Sequence, residues 1–237
     1  MPTINLLYQR QYKINDSIEI VIPTVGEILD NEDSYYNMVS LLTAMPIDLQ
    51  VQLDDIDIDY TTINDWDLFR LIFDGLKSQD TSLIFGDLDL SSFELMVDNR
   101  NGKMVLVSEE EGAVIDRAVH GQIVATLRKI HHLKKNYRKP GNDEAKRYML
   151  ERARAKMKRN KNRSSESYLE SLIIALVNTE QFKYDYEGTR NLSIYQFNES
   201  VRQITKKINY DNVMYGLYSG TVSSKDINLN DVNWLSK

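Results

Sequence analysis

Few residues in this chain have types and spacings that could do chemistry. Asp55, Asp57 and Asp59 alternate much as carboxylates do in calcium loops. Counted from Asp55, a loop of that kind needs glycine at the sixth place and glutamate at the twelfth, where Tyr60 and Trp66 stand. The simpler expectation is alternation, with Ile56 and Ile58 inward and the carboxylates in water. His120, His131 and His132 are the histidines. Helical neighbours point about 100° apart, and eleven residues at about 1.5 Å each set His120 some 16 Å from His131, so no chelating pair forms. They are expected at the surface or partly packed. No cysteine is present, which removes disulfides, thiolate ligands and thiol nucleophiles. The glycines form no GxGxxG, Gly102-Lys103 lacks the earlier glycine of a phosphate loop, and no serine lies in GxSxG. No catalytic, cofactor-binding or metal-binding residue is assigned, and an enzyme is not expected.

Charge is distributed less evenly than these residues. Arg128–Arg163 holds fifteen lysines and arginines against Asp143, Glu144 and Glu151, a net of +12 in a chain of net −6. Residues 1–100 carry five basic and nineteen acidic side chains. Such polarity governs encounter and association rather than fold. The residues assigned to partner binding are Lys134, Lys135, Arg138, Lys139, Arg152, Arg154, Lys156, Lys158, Arg159, Lys161 and Arg163. Three uses fit them: contact with nucleic acid, docking onto an acidic protein surface including the chain's own first half, or a solvated helix pair. Only Tyr137 and Tyr148 are at hand for base stacking, so protein docking is preferred and nucleic acid is the alternative. The apolar face there carries Met and Ala, too little for a membrane surface.

The elements that must position these cations follow from periodicity and caps. Ile4–Tyr12 and Ser17–Pro23 predict a hairpin, with Ile18, Ile20 and Ile22 alternating inward. Thr24 and Glu27 have capping-box spacing ahead of a helix, and Tyr36–Ala44 continues with helical spacing. Asn64 or Asp65 caps Trp66–Leu76. Phe93–Val97 and Met104–Val107 flank Asn101-Gly102, a strong hairpin signal. From Asp116, Val119, Ile123, Leu127 and Ile130 form one helical stripe, broken at Arg138-Lys139-Pro140-Gly141. Asn142 caps the next helix, which runs to about Asn160 with Met149, Leu150, Ala153 and Met157 on a narrow face, and a polar link is read over Lys158–Arg163. Ser164 or Ser165 caps Tyr168–Val177, whose Leu169, Leu172, Ile173, Leu176 and Val177 are expected to be buried. Ser193 and Gln196 open another helix, and Tyr210–Tyr218 makes a last one, stopped by Gly220. The spacing of Gly216 and Gly220 suggests a tight helix crossing before that stop. The fold class is α+β. Three units are expected: an acidic α+β unit over 1–112, a basic helical hairpin with its link over 113–163, and a helical unit over 164–237.

Ser193-Ile-Tyr-Gln-Phe-Asn-Glu-Ser-Val-Arg-Gln-Ile204, Asn209-Tyr-Asp-Asn-Val-Met-Tyr-Gly-Leu-Tyr-Ser-Gly-Thr221 and Asn233-Trp-Leu235 together resemble sequences from the structural-gene clusters of tailed bacteriophages. Ile22-Pro-Thr-Val-Gly-Glu-Ile28 and Ala145-Lys-Arg-Tyr-Met-Leu-Glu-Arg-Ala153 add to the likeness. Some of those proteins are labelled tail assembly chaperones. The resemblance implies a tail or virion morphogenesis protein, an assembly factor or structural adaptor, that acts by protein–protein contact. Its expected partners are other phage structural proteins and further copies of itself. It would work in the host cytoplasm during assembly, with retention in the virion left open. No signal peptide is read at the N-terminus, and the longest apolar run, Leu172–Val177, is far below the roughly 20 residues of a membrane crossing.

Overall fold

The computed structural model describes residues 5–160, 166–223, 225 and 227–235. Strands β1 (Gln11–Lys13) and β2 (Glu19–Val21) pair antiparallel with Tyr12 opposite Ile20. The Asn15 side chain accepts from the amides of Ser17 and Ile18, which closes the turn. Ile18, Ile20 and Ile22 are fully buried, as their alternation requires, although the first strand is much shorter than Ile4–Tyr12. Thr24 then forms the expected capping box with Glu27 and starts α1 (Val25–Leu29). Helix α2 (Glu32–Leu42) follows and buries Tyr35, Met38, Val39 and Leu42.

The aspartate ladder is not a strand. It follows α3 (Gln50–Asp54), beginning at the helix cap Asp55 and running through the turns after it, where Asp57 adopts φ +57° and Ile56 is 55% exposed. Successive turns lack the two-residue period on which an inward Ile56 depended. Asn64 caps α4 (Asp65–Lys77) through its side chain, and Trp66, Leu68, Phe69, Phe73 and Leu76 pack inward. After α5 (Ser82–Phe85) and a short 3-10 turn (Leu90–Ser92), β3 (Glu94–Val97) and β4 (Met104–Ser108) form the second hairpin. Gly102 at φ +68° makes its tip. A third strand, β5 (Ala113–Ile115), pairs with β4 and was not legible in the sequence.

Asp116 caps α6 (Arg117–Ile130), whose stripe buries Ile123, Leu127 and Ile130. The helix stops at His131, well before Pro140. His132 takes φ +53° and the amide of Leu133 bonds back to the Arg128 carbonyl, a left-handed close that ends the helix without proline. Residues 133–142 run without regular structure to α7 (Asp143–Asn160). Helix α7 ends at Asn160, where the pattern predicts, and so takes in Lys158 and Arg159 from the start of the expected link; Lys161, Arg163 and the expected caps Ser164 and Ser165 lie outside the described residues. The cap of α8 (Tyr168–Val177) is Ser167, which accepts from the Glu170 amide. Glu32 supports this cap from α2 by accepting from the Ser167 hydroxyl and the Leu169 amide. Leu169, Ile173 and Leu176 are buried, while Leu172 and Val177 are half-buried.

A short α9 (Tyr186–Arg190) leads to α10 (Ile194–Tyr218), which opens with the Ser193–Gln196 capping box. It is one helix of 25 residues, not two, because no proline or glycine interrupts Ile204–Tyr210. Gly220 at φ +71° ends it, and the amides of Thr221 and Val222 bond back to the Gly216 carbonyl. A Cβ at Gly216 would meet Val222 at 2.8 Å, so its smallness serves this fold-back rather than a helix crossing. The chain continues to α11 (Leu229–Val232). The α+β class holds, with small antiparallel sheets early and helices dominating later. Thr24 bridges Ser193, and Ile194 donates to Pro23, so the two capping boxes meet back to back. One large core draws on Ile20, Phe73, Leu106, Ile115, Leu127, Ile173 and Phe197; a smaller one gathers Ile47, Leu53, Tyr60 and Leu68.

Candidate docking surface

Helix α7 buries no side chain fully. Ala145, Lys146, Met149, Leu150 and Ala153 are half-buried, and Met149 packs on the smaller core. Met157 is exposed, so the apolar seam is one residue shorter than the sequence suggested. Ion pairs flank the seam. Lys146 reaches Asp59 at 2.7 Å, and Arg154 reaches Asp54 at 2.7 Å and Asp55 at 2.6 Å. Two of the three ladder carboxylates therefore serve the chain's own basic helix. The Lys146 ammonium, together with the amide and hydroxyl of Thr61, holds Asp59 down to about 2. Asp59 raises Lys146 in return, and Asp54 and Asp55 raise Arg154.

The other assigned cations are not gathered onto that seam. Lys134, Lys135, Arg138 and Lys139 are exposed along 133–142, beside an exposed Tyr137. Arg152, Lys156, Lys158 and Arg159 are exposed on α7 and, with Arg147, form no ion pair among the described residues. Arg152 lies over the ring of Tyr148, 5.7 Å from its centroid, which occupies one face of the aromatic best placed for stacking. Arg128, also in the basic segment, is buried and donates to the Thr43 carbonyl at 2.5 Å; it is structural. Sequence reasoning missed Asp54, Asp55 and Asp59 as the partners of α7. The signal was opposite charge at close spacing in two segments, but nothing local to either says they meet.

His131 and His132 are partly packed, as expected, while His120 is buried. His120 stacks on Phe69 with centroids 4.3 Å apart, and burial, aided by the Arg128 charge, pushes it down to about 4. His131 shares a 2.9 Å hydrogen bond with the Tyr35 hydroxyl; burial and the charge of His132 lower it to about 4. His132 sits 3.5 Å from Glu199. Both helix α6 and the turn after it are packed on ring-bearing faces of α2 and α4, which the stripe of aliphatic residues did not reveal. Among the described residues no group of three His, Asp or Glu is arranged to hold a metal. Two open clefts lie away from α7. One of about 730 Å³ has Trp66, Asp67, Arg70, Lys103, Asp116 and Arg117 in its wall, and one of about 670 Å³ has Tyr36, His131, His132, Tyr168 and Arg202. No helix among the described residues is long and apolar enough to cross a membrane.

Residues 158–237 match the family model of the YomV second domain. The match spans the last turn of α7 and the elements α8 to α11, about a third of the chain. YomV is a phage-associated protein, so the likeness points, weakly, to a phage-related chain. No curated protein and no solved structure matches.

Proposed function

We propose that the chain is a phage tail or virion morphogenesis protein that works by protein–protein contact through the outward side of α7. One observation carries this reading. A helix with no fully buried residue is fixed to the body by a narrow seam and by Lys146 and Arg154, and so displays Arg147, Arg152, Lys156, Lys158 and Arg159 outward. Fixing long cations on a placed helix lowers what a partner must spend in ordering them, and complementary charge speeds encounter. The YomV likeness and the resemblance to tail-cluster proteins supply the biological setting. In this reading the protein is not an enzyme, needs no cofactor, and acts in the host cytoplasm during assembly as an assembly factor or adaptor subunit.

The test is size-exclusion chromatography with light scattering on the full chain mixed with purified structural proteins of its phage. Co-elution with at least one is expected, and reversing Arg147, Arg152 and Arg159 to Glu should release it. A chain that stays monomeric and meets none of them would sink the proposal. A second reading is favoured by the run Lys134, Lys135, Arg138 and Lys139 with Tyr137 exposed between them, which could follow a phosphate backbone. For that reading, duplex DNA binding would weaken steeply with salt, and glutamine at Lys134, Lys135 and Lys139 would flatten the slope by about 0.9 per lost contact.

A further inference from the structure

Resting on the docking reading above, we infer that the partner of the outward α7 face is the acidic pole of a second copy of this chain, joined head to tail. That pole is assembled from three separate loops. The β1–β2 hairpin brings Asp16 and Glu19, the segment after α5 brings Asp87 and Asp89, and the β4–β5 turn brings Glu109, Glu110 and Glu111. Hydrogen bonds tie the loops together: the Ser17 hydroxyl donates to the Gly112 carbonyl at 3.0 Å, and the Asp89 amide donates to the Glu111 carboxylate at 3.3 Å. A shallow depression of about 220 Å³ lies between them, lined by Glu19, Asp87 and Glu111 with Ile18 and Leu88 at its floor. Against seven carboxylates, the one cation paired here among the described residues is Lys13, on Asp16 at 2.9 Å.

The two faces fit each other and not themselves. Among the described residues no ion pair joins the pole to α7 within the chain, so each keeps its charge for another molecule. A two-fold contact of α7 with α7, or of pole with pole, would set like charge on like charge. Pole on α7 is heterologous, and contacts of that kind propagate into a ring or a filament. The chemistry has a precedent in the same helix, whose Arg154 already holds Asp54 and Asp55. Nucleic acid fits less well: a polyanion approaching α7 meets a chain of net −6, while a second copy can arrive pole first.

Sedimentation velocity on the full chain tests this with two variants. One reverses the pole (Asp16→Lys, Asp87→Lys, Glu109→Lys, Glu110→Lys), which sets four lysines and Lys13 against Glu19, Asp89 and Glu111, and the other reverses the helix (Arg147→Glu, Arg152→Glu, Arg159→Glu); circular dichroism and thermal unfolding check that both fold. Wild type should associate at ~0.02 M salt and dissociate at ~0.3 M, as the screening length falls from about 20 Å to about 5 Å. Each variant alone should associate at least about tenfold more weakly, and an equimolar mixture of the two should recover assembly, since every junction is then again opposite in sign. A wild type that is monomeric at low salt overturns the inference, as does a helix-reversed variant that associates like wild type or a mixture that does not recover. If that monomer still binds a phage structural protein through α7, the docking proposal survives without this partner. If it binds duplex DNA through α7 instead, the face belongs to nucleic acid and the inference is overturned.

Discussion

His120 should make the fold acid-labile by a calculable amount. Its ring is 5% exposed, stacked on Phe69 and 5.5 Å from the Trp66 ring. Burial, with help from Arg128, holds it down to about 4, against 6.5 for the free side chain. A histidine depressed on folding is neutral in the native state and costs nothing above pH 6.5. As pH falls from 6.5 towards 4 the unfolded chain takes up the proton first, so stability is lost across that window. Each pH unit between the two values is worth about 1.4 kcal/mol, giving about 3 kcal/mol in all, of which about 2.5 is expressed at pH 4.5. Phenylalanine keeps the stack and removes the titration. Urea unfolding of wild type and His120→Phe at pH 7 and pH 4.5 measures the difference of differences. Wild type should lose about 2 kcal/mol more than the variant. The carboxylates and His131 titrate in both proteins and cancel. Equal losses would refute the assignment of His120 as a buried neutral ring.

Phe197→Ala should cost about 3–5 kcal/mol in the same assay, because the ring is fully enclosed in the larger core. Ser193→Ala removes the hydroxyl that accepts from the Gln196 amide and should cost about 1 kcal/mol, while Ser193→Gly should cost only a few tenths. Replacing Lys146 and Arg154 together by Met should raise amide hydrogen exchange along α7 and leave the global urea midpoint nearly unchanged, since these are exposed pairs on a helix with no fully buried side chain. An unchanged exchange pattern would mean that the apolar seam alone holds the helix.

Local rules made much of this fold readable. Thr24, Asn64, Asp116 and Ser193 announce helices because their side-chain oxygens accept from backbone amides two or three residues on, and Asn101-Gly102 announces a turn because glycine tolerates the positive φ. What escaped depends on partners distant in sequence. β5 is three residues long and exists by pairing with β4. The α6 stop at His131 is set by a backbone bond to Arg128 rather than by Pro140, and Ser167 is the α8 cap with Glu32 of α2 behind it. The same holds for the surface. The basic segment was plain from composition, but which of its cations are used internally depends on Asp54, Asp55 and Asp59, about 90–100 residues earlier. The acidic pole is harder still, because its carboxylates come from three loops that only the β1–β2 and β4–β5 turns bring together.

The most direct test of the central claim is a density gradient of cells making the phage, probed for this chain through the assembly period. Co-migration with intermediates that contain the phage's structural proteins is the expected result, with a shift to the top of the gradient when Arg147, Arg152 and Arg159 are reversed to Glu. Wild-type chain found only at the position of a free monomer while particles assemble would contradict it.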